Sequence, residues 1–212
     1  LLRASELDAE YISGAYAVHF PGMLLELTEE MRGACERLVE IAREKGILVS
    51  FDPNIRRELS ADAAARARLL WAVRHADVVA PTLSEGQMIT GETSIGDVLR
   101  ALHAMGPRVV ALTRDKDGAV LSRGGEVAVA AGIDEEPVDP TGAGDTLAAA
   151  LCVGLQEDMP LARLAAFCNC AGTLVIKKKG AIGMALPERG QVDAMVASGV
   201  CRVECMPLES LV

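Results

Sequence analysis

Val138-Asp139-Pro140-Thr141-Gly142-Ala143-Gly144-Asp145-Thr146 runs directly into the apolar segment Leu147-Ala148-Ala149-Ala150-Leu151. A proline, two glycines and a carboxylate therefore stand immediately ahead of a helix-forming run. Glycines let the backbone turn closely and aim several N–H groups in one direction. The helix that starts there adds unpaired amide donors and the positive end of its dipole. Together these make a seat for an anion, usually a phosphate. Asp145 stands at its rim, and local physics gives it two readings. It is an ordinary first-turn carboxylate that suits the dipole, or a functional acid placed beside bound negative charge. The rest of the chain has to decide.

Upstream of the seat the rhythm is that of antiparallel hairpins. Asp117-Gly118 is a tight-turn pair before Ala119-Val120-Leu121, and Gly124-Gly125 is another before Val127-Ala128-Val129. A loop over residues 132–141 then leads to the seat. Downstream, helices are expected over about 142–156 and 161–178, with Pro160 opening the second, and a short one from Pro187-Glu188. Residues 198–212 give no reading.

Nearer the start the pattern is strand then helix. Ala17-Val18-His19-Phe20 reads as a short strand ended by Pro21-Gly22, with His19 a core or edge histidine rather than a catalytic one. Thr28 caps a helix whose first turn holds Glu29 and Glu30. Met31, Ala34, Cys35, Leu38, Ile41 and Ala42 make its apolar stripe, and Gly46 closes it. A strand over Ile47–Phe51 follows, then an Ala-rich helix from a Ser60 cap to about His75, then a strand over Asp77–Ala80. A short helix from Ser84 to Gly91 and another from Thr93 or Ser94 to Gly106 precede the strand Arg108–Thr113. Strand and helix alternating every 25–30 residues or roughly so predict a parallel sheet covered on both faces. Ligands of such sheets bind beyond the strand C-terminal ends. Asp52, Asn54, Arg56, Thr82, Glu85, Arg114 and Asp145 all fall there.

Composition narrows the function. In 212 residues half are apolar and only 3% aromatic, so the core is built of Leu, Val, Ile, Ala and Met. A formal charge of −9 argues against broad nucleic-acid or anionic-membrane binding. No apolar run approaches the roughly 18 residues a membrane span needs, and the first residues lack a signal-peptide pattern. Cys35 and Cys152 read as small core hydrophobes, and Cys168 and Cys170 as diverging side chains on one helix. Cys201 and Cys205 complete no zinc set, so a reduced, cytoplasmic protein is expected. The chain also lacks the third Rossmann glycine, a G-x-x-x-x-G-K-[ST] loop, a G-x-S-x-G elbow and an H-E-x-x-H pair. What remains is an anion-seating helix with a carboxylate at its mouth. A carboxylate there repels the ligand unless it works as a general base on an attacking hydroxyl.

Asp139-Pro140-Thr141-Gly142-Ala143-Gly144-Asp145-Thr146 resembles the C-terminal signature of the ribokinase-like, phosphofructokinase-B-type carbohydrate kinases. Phe51-Asp52-Pro53-Asn54-Ile55-Arg56 resembles the family's D-x-N-x-R segment, and Pro81-Thr82-Leu83-Ser84-Glu85 its N-x-x-E segment. Leu112-Thr113-Arg114-Asp115-Lys116-Asp117-Gly118 is similar to its nucleotide-side strand and turn. The resemblance implies a three-layer α/β/α fold with a mostly parallel sheet and an antiparallel edge. It covers residues 1–197 as the kinase domain, with 198–212 a C-terminal tail.

It also implies ATP and Mg²⁺ as cofactors and a sugar or sugar acid as the small-molecule partner. Asp145 would be the catalytic base, with the amides of Gly142, Ala143 and Gly144 holding charge on the transferred phosphoryl. Glu85 would organise Mg²⁺ through water. Thr113, Arg114, Gly118 and Thr141 would line the nucleotide, with Asn169 and Ala171 on its adenine side. Asp139 and the Thr141 carbonyl match positions that bind a monovalent cation, K⁺, in some members. Asp52, Asn54, Arg56 and Asp145 would face the sugar. The Ser50–Arg57 stretch looks most like 2-keto-3-deoxygluconate kinases, with fructokinases next, and Arg56 either reaches a sugar-acid carboxylate or pairs Asp52.

The chain departs from the family in two ways. Thr82 replaces the Asn of N-x-x-E. Family members are about half as long again, so the expectation is that the first third, with its Gly-Gly substrate loop and β lid, precedes Leu1. A catalytically incompetent nucleotide-binding fragment is therefore the alternative to an active sugar kinase. A homo-oligomer is an assembly open to the longer form.

Overall fold

The computed structural model describes residues 2–55 and 62–211. Its strands are β1 (Ala17–Pro21), β2 (Leu48–Asp52), β3 (Val78–Val79), β4 (Val109–Thr113), β5 (Gly118–Arg123), β6 (Glu126–Ala131) and β7 (Val203–Pro207). They form a seven-stranded sheet in sequence order. The helices are α1 (Ala9–Ser13), α2 (Leu24–Leu27), α3 (Glu29–Lys45), α4 (Ala63–His75), α5 (Leu83–Thr90), α6 (Ile95–Met105), α7 (Ala143–Gln156), α8 (Leu161–Ile176) and α9 (Arg189–Ala197). This is the three-layer α/β fold with a mixed sheet that the sequence predicts. The chain divides into two compact units, Leu1–Val110 and Ala111–Val212.

In the first unit the strands pair in parallel, β1 with β2 from Ala17↔Leu48 to Pro21↔Asp52, and β2 with β3 at Ser50↔Val78. Strands buried on both faces read as continuous runs, and Val49, Phe51, Val78 and Val79 are fully enclosed. The caps come largely as the sequence spells them. Thr28 Oγ1 accepts from the Met31 amide at 3.2 Å, and Gly46 ends α3 in the left-handed region at φ 69°. Ser94, rather than Thr93, caps α6 by accepting from the Asp97 amide at 3.1 Å.

Three details differ from expectation. Val39 is buried on α3 where the stripe names Leu38, because Val39 lies one turn beyond Cys35. Asp62 caps α4 through the Ala65 amide at 2.6 Å, while the Ser60 cap and Arg56 lie outside the described residues. Helices α1 and α2 are too short to show an apolar stripe, and only the Asp8 cap announces α1.

The second unit is organised differently. β5 and β6 form an antiparallel hairpin from Gly118↔Ala131 to Arg123↔Glu126. Gly124 and Gly125 turn it with φ 62° and 83°, the two positive values that a type I′ turn requires. β7 joins the other side of β6, antiparallel from Glu126↔Pro207 to Ala130↔Val203. The antiparallel edge is therefore three strands, and the third comes from residues that give no reading in sequence. Glu204 and Cys205 are both exposed, so the strand lacks the inside–outside alternation that would reveal it. α7 and α8 pack on each other, closely enough that a Cβ on Gly154 would lie 2.3 Å from Leu164 Cδ1.

Candidate functional site

In the second unit the glycine stretch forms the N-terminus of α7. Gly142 sits at its N-cap with φ 86° and offers no side chain to the open amides. A Cβ there would lie 2.7 Å from that of Ala181, so both the conformation and the space demand glycine. Gly144 differs. Its φ is ordinary and a Cβ would meet nothing within 4 Å, so its missing side chain leaves open room in the first turn.

The Ala143 amide makes a long 3.4 Å bond to Pro140 O, and the Thr146 amide bonds Gly142 O at 2.9 Å. No acceptor among the described residues takes the N–H groups of Gly142, Gly144 or Asp145. Asp145 is exposed in this first turn, and no described side chain pairs with it. Thr146 Oγ1, by contrast, is buried and unpartnered. Three free amides and an orphaned hydroxyl at one helix start fit an anionic group such as a nucleotide phosphate.

Asp139 holds this start in place. Its Oδ1 accepts from the Thr141 amide at 3.0 Å and its Oδ2 from the Gly180 amide at 2.9 Å. The Thr141 side chain, then the Gly180 and Thr141 amides, hold its carboxyl down at about 2. Asp139 is thus an ionised clasp between the entry to α7 and the exit from α8. Gly180, left-handed at φ 90°, was not singled out in sequence. A glycine just past a helix end in Lys177-Lys178-Lys179-Gly180 is the only signal it gives.

The turn after β4 is equally constrained. The Arg114 amide donates to Gly118 O at 2.8 Å and its Nη2 to Asp117 O at 2.6 Å, while its Nε is buried without a partner. A Cβ on Gly118 would lie 2.2 Å from Ala130 O, and one on Gly132 1.7 Å from Lys116 O. Two glycines thus let this turn and the end of β6 touch backbone to backbone. Sequence reasoning names Gly118 and misses Gly132. Thr113 ends β4, half-buried. On α8, Asn169 commits its amide to Ala131 O at 2.9 Å and Cys201 Sγ at 3.3 Å, and Ala171 is enclosed. Both recorded side-chain bonds of Asn169 use its Nδ2, and Ala171 has no polar side-chain atom.

In the first unit the structure brings Asp52, Asn54 and Glu85 into one network. Asp52 Oδ1, at the end of β2, accepts from the Asn54 amide at 3.0 Å, and Asn54 takes a positive φ of 39°. The next amide, Ile55, donates to Glu85 Oε1 at 2.6 Å. Glu85 Oε2 accepts from the Thr82 amide at 2.8 Å and the Thr82 hydroxyl at 2.9 Å, and Thr82 Oγ1 accepts from the Glu85 amide at 3.2 Å. Thr82 and Glu85 therefore form a capping box on α5, and Glu85 reaches across to hold the loop after β2. A Cβ on Gly22 would lie 2.1 Å from Pro53 O, so that loop is also held from the β1 side. Among the described residues no three acidic, Cys or His side chains gather to hold a metal. Mg²⁺ at Glu85 would thus rest chiefly on water and on ligand oxygens, as this ion tolerates. No helix among the described residues is long and apolar enough to cross a membrane.

An α/β chain that leaves a glycine-opened helix start uncapped, beside an exposed carboxylate, is of the class built to receive an anion there. The model of the pfkB family carbohydrate kinases matches residues 2–189, and the chain belongs to that family. It is 32% identical to fructokinase-1 of Zea mays, a match covering 92% of this chain and 63% of the relative. A fructokinase structure from Vibrio cholerae with fructose, ADP and calcium bound superposes with TM-score 0.75 at 28% identity, over 84% of this chain and 60% of that one. The 2-dehydro-3-deoxygluconokinase of Thermotoga maritima shares the fold with TM-score 0.83 at 20% identity, over 92% and 64%. The chain thus spans less than two thirds of the length of these relatives.

Proposed function

We propose that this chain carries the phosphate-handling part of an ATP-dependent kinase acting on a sugar or sugar acid. The observation that carries the reading is the N-terminus of α7, whose three amides no described residue caps, beside the exposed Asp145. Asp145 removes the proton from the acceptor hydroxyl. The amides of Gly142, Ala143 and Gly144 hold the charge that develops on the transferred phosphoryl group, which is where such reactions take most of their rate. Thr113, Arg114, Gly118 and Thr141 line the nucleotide, with Asn169 and Ala171 on its adenine side. Asp52 and Asn54 take the acceptor, and Arg56, outside the described residues, is the further candidate named from the sequence. Mg²⁺, when bound to the nucleotide, would neutralise phosphate charge, and Glu85 would be the residue to orient its water shell. Asp139 and the Thr141 carbonyl would be the residues to hold K⁺.

Curated relatives that are fructokinases make fructose the first acceptor to assay. The Ser50–Arg57 stretch puts 2-keto-3-deoxygluconate beside it. The test is ATP·Mg²⁺ calorimetry, then coupled ADP release with fructose, 2-keto-3-deoxygluconate, ribose and adenosine. Turnover that rises with one sugar and collapses in Asp145→Asn supports the proposal. ATP binding with no sugar-stimulated ADP release supports the nucleotide-binding alternative, and absence of both sinks the reading of the α7 seat.

A further inference from the structure

Lys177-Lys178-Lys179 follows directly on the end of α8, and all three residues are exposed. Cations suit the negative end of a helix, so the dipole alone explains a basic run there. Two of the three are also committed within the chain. Lys177 Nζ donates to Glu135 Oε1 at 2.7 Å, and Lys178 Nζ donates to Met184 O at 2.9 Å. Among the described residues no hydrogen-bond or ion-pair partner takes the Lys179 ammonium.

Backbone contacts fix where that cation stands. The Gly180 amide, the next along the chain, donates to Asp139 Oδ2 at 2.9 Å, and the other oxygen of Asp139 holds the Thr141 amide at 3.0 Å. One residue further, Ala181 packs so tightly on the start of α7 that a Cβ on Gly142 would lie 2.7 Å from its own. The two residues after Lys179 thus touch both the Asp139 clasp and the N-cap of the seat. A lysine stem carries its ammonium about 6 Å from the Cα, enough to span these contacts. In keeping with this placement, the Lys179 charge acts on Asp139, adding to the Thr141 side chain and the Gly180 and Thr141 amides that hold its carboxyl down.

A phosphate chain arriving at the seat meets two acids, the ionised Asp139 and the exposed Asp145. Against them the start of α7 offers amides, whose dipoles together amount to about half a unit of positive charge. One full positive charge beside them offsets what the amides cannot. We propose that Lys179 is a phosphate-binding residue of this seat, its ammonium meeting the donor's phosphate oxygens alongside the α7 amides. The inference rests on the kinase reading of the seat and adds to it a charged donor that the glycine signature lacks. Lysine suits the role as a compact point charge with three rotatable N–H donors.

The experiment titrates the full chain by calorimetry with ATP·Mg²⁺ and, separately, with sodium tripolyphosphate, in the wild type, Lys179→Met, Lys179→Arg and Lys178→Met. Lys179→Met should weaken both ligands by about tenfold or more, and Lys179→Arg should keep them within about threefold. Lys178→Met should leave both unchanged, and the Lys179→Met loss should shrink as salt rises, because an exposed charge is screened. Equal affinities in the wild type and Lys179→Met overturn the proposal while leaving the seat intact. So does an equal loss in Lys178→Met, which would mark a general field of the lysine run. A wild type that binds tripolyphosphate through Lys179 but does not bind ATP keeps this residue and sinks the nucleotide reading. A wild type that binds neither ligand sinks both.

Discussion

Helices α5 and α7 begin with the same difficulty, a set of first-turn amides that have no acceptor within the helix. At α5 the chain supplies the acceptors itself. Thr82 and Glu85 cap each other, and Glu85 has an oxygen left over for Ile55. At α7 the cap position is Gly142, which has nothing to offer, and the amides of Gly142, Gly144 and Asp145 stay open. One start is closed by sequence-local chemistry, and the other is kept open by the lack of it. Each carries a carboxylate at its third helical position, but both Glu85 oxygens accept bonds from the scaffold and no described side chain pairs with Asp145. Of two acids in equivalent helical positions, the unpaired one is the candidate for proton transfer, and the paired one is held in a fixed orientation from which it could meet Mg²⁺ only through water.

The largest way to break this comparison is at Asp145. Asp145→Asn should lower sugar-dependent ADP release by about 10²–10⁴-fold while nucleotide binding by calorimetry stays within a few-fold. Retained turnover would show that the open start does no proton chemistry. Next is Gly142→Ala, which places a side chain at a φ of 86° and against Ala181. It should cost about 3 kcal/mol of folding stability in urea unfolding. Glu85→Ala should cost about 2 kcal/mol by removing three accepted bonds from the closed start, and Glu85→Gln should recover about half, because a glutamine amide cannot accept on both sides.

A smaller effect belongs to Asp139. Its folded carboxyl lies at about 2 against an ordinary 3.8, so its contribution to stability is full above about pH 4 and is lost as pH falls toward 2. Asp139→Asn should flatten that part of the stability–pH curve, read by thermal unfolding at a series of pH values. The smallest effect is expected from Gly144→Ala. It should shift stability by about 0.5 kcal/mol or less, toward the folded state, because no described atom stands near the new methyl. A loss as large as that of Gly142→Ala would mean the first turn is not open.

Much of this was legible because it is local. Thr28 and Ser94 cap the helices their positions announce, Gly124-Gly125 makes the turn its composition demands, and Gly142 stands where only glycine fits. The α5 capping box is also spelled in the sequence as Thr82-Leu83-Ser84-Glu85. The family resemblance draws attention instead to a metal role for Glu85, and the box then passes unnoticed. What was not legible depends on long sequence separations. Gly180 reaches Asp139 across 41 residues, Cys201 meets Asn169 across 32, and Gly132 is forced by the backbone of Lys116. β7 was missed for a different reason. An edge strand with exposed Glu204 and Cys205 has no buried face to impose alternation.

The Asp139 clasp has a mechanical side. One carboxylate grips the chain entering α7 and the chain leaving α8, beside the Val138 and Asp139 amides that donate to Ile176 O, so the two ends are fastened together. A shift of the loop after Ile176 is therefore carried to the anion seat without passing through either helix. The lever arm is one side chain long, and two backbone bonds from Val138 and Asp139 to Ile176 O stiffen it.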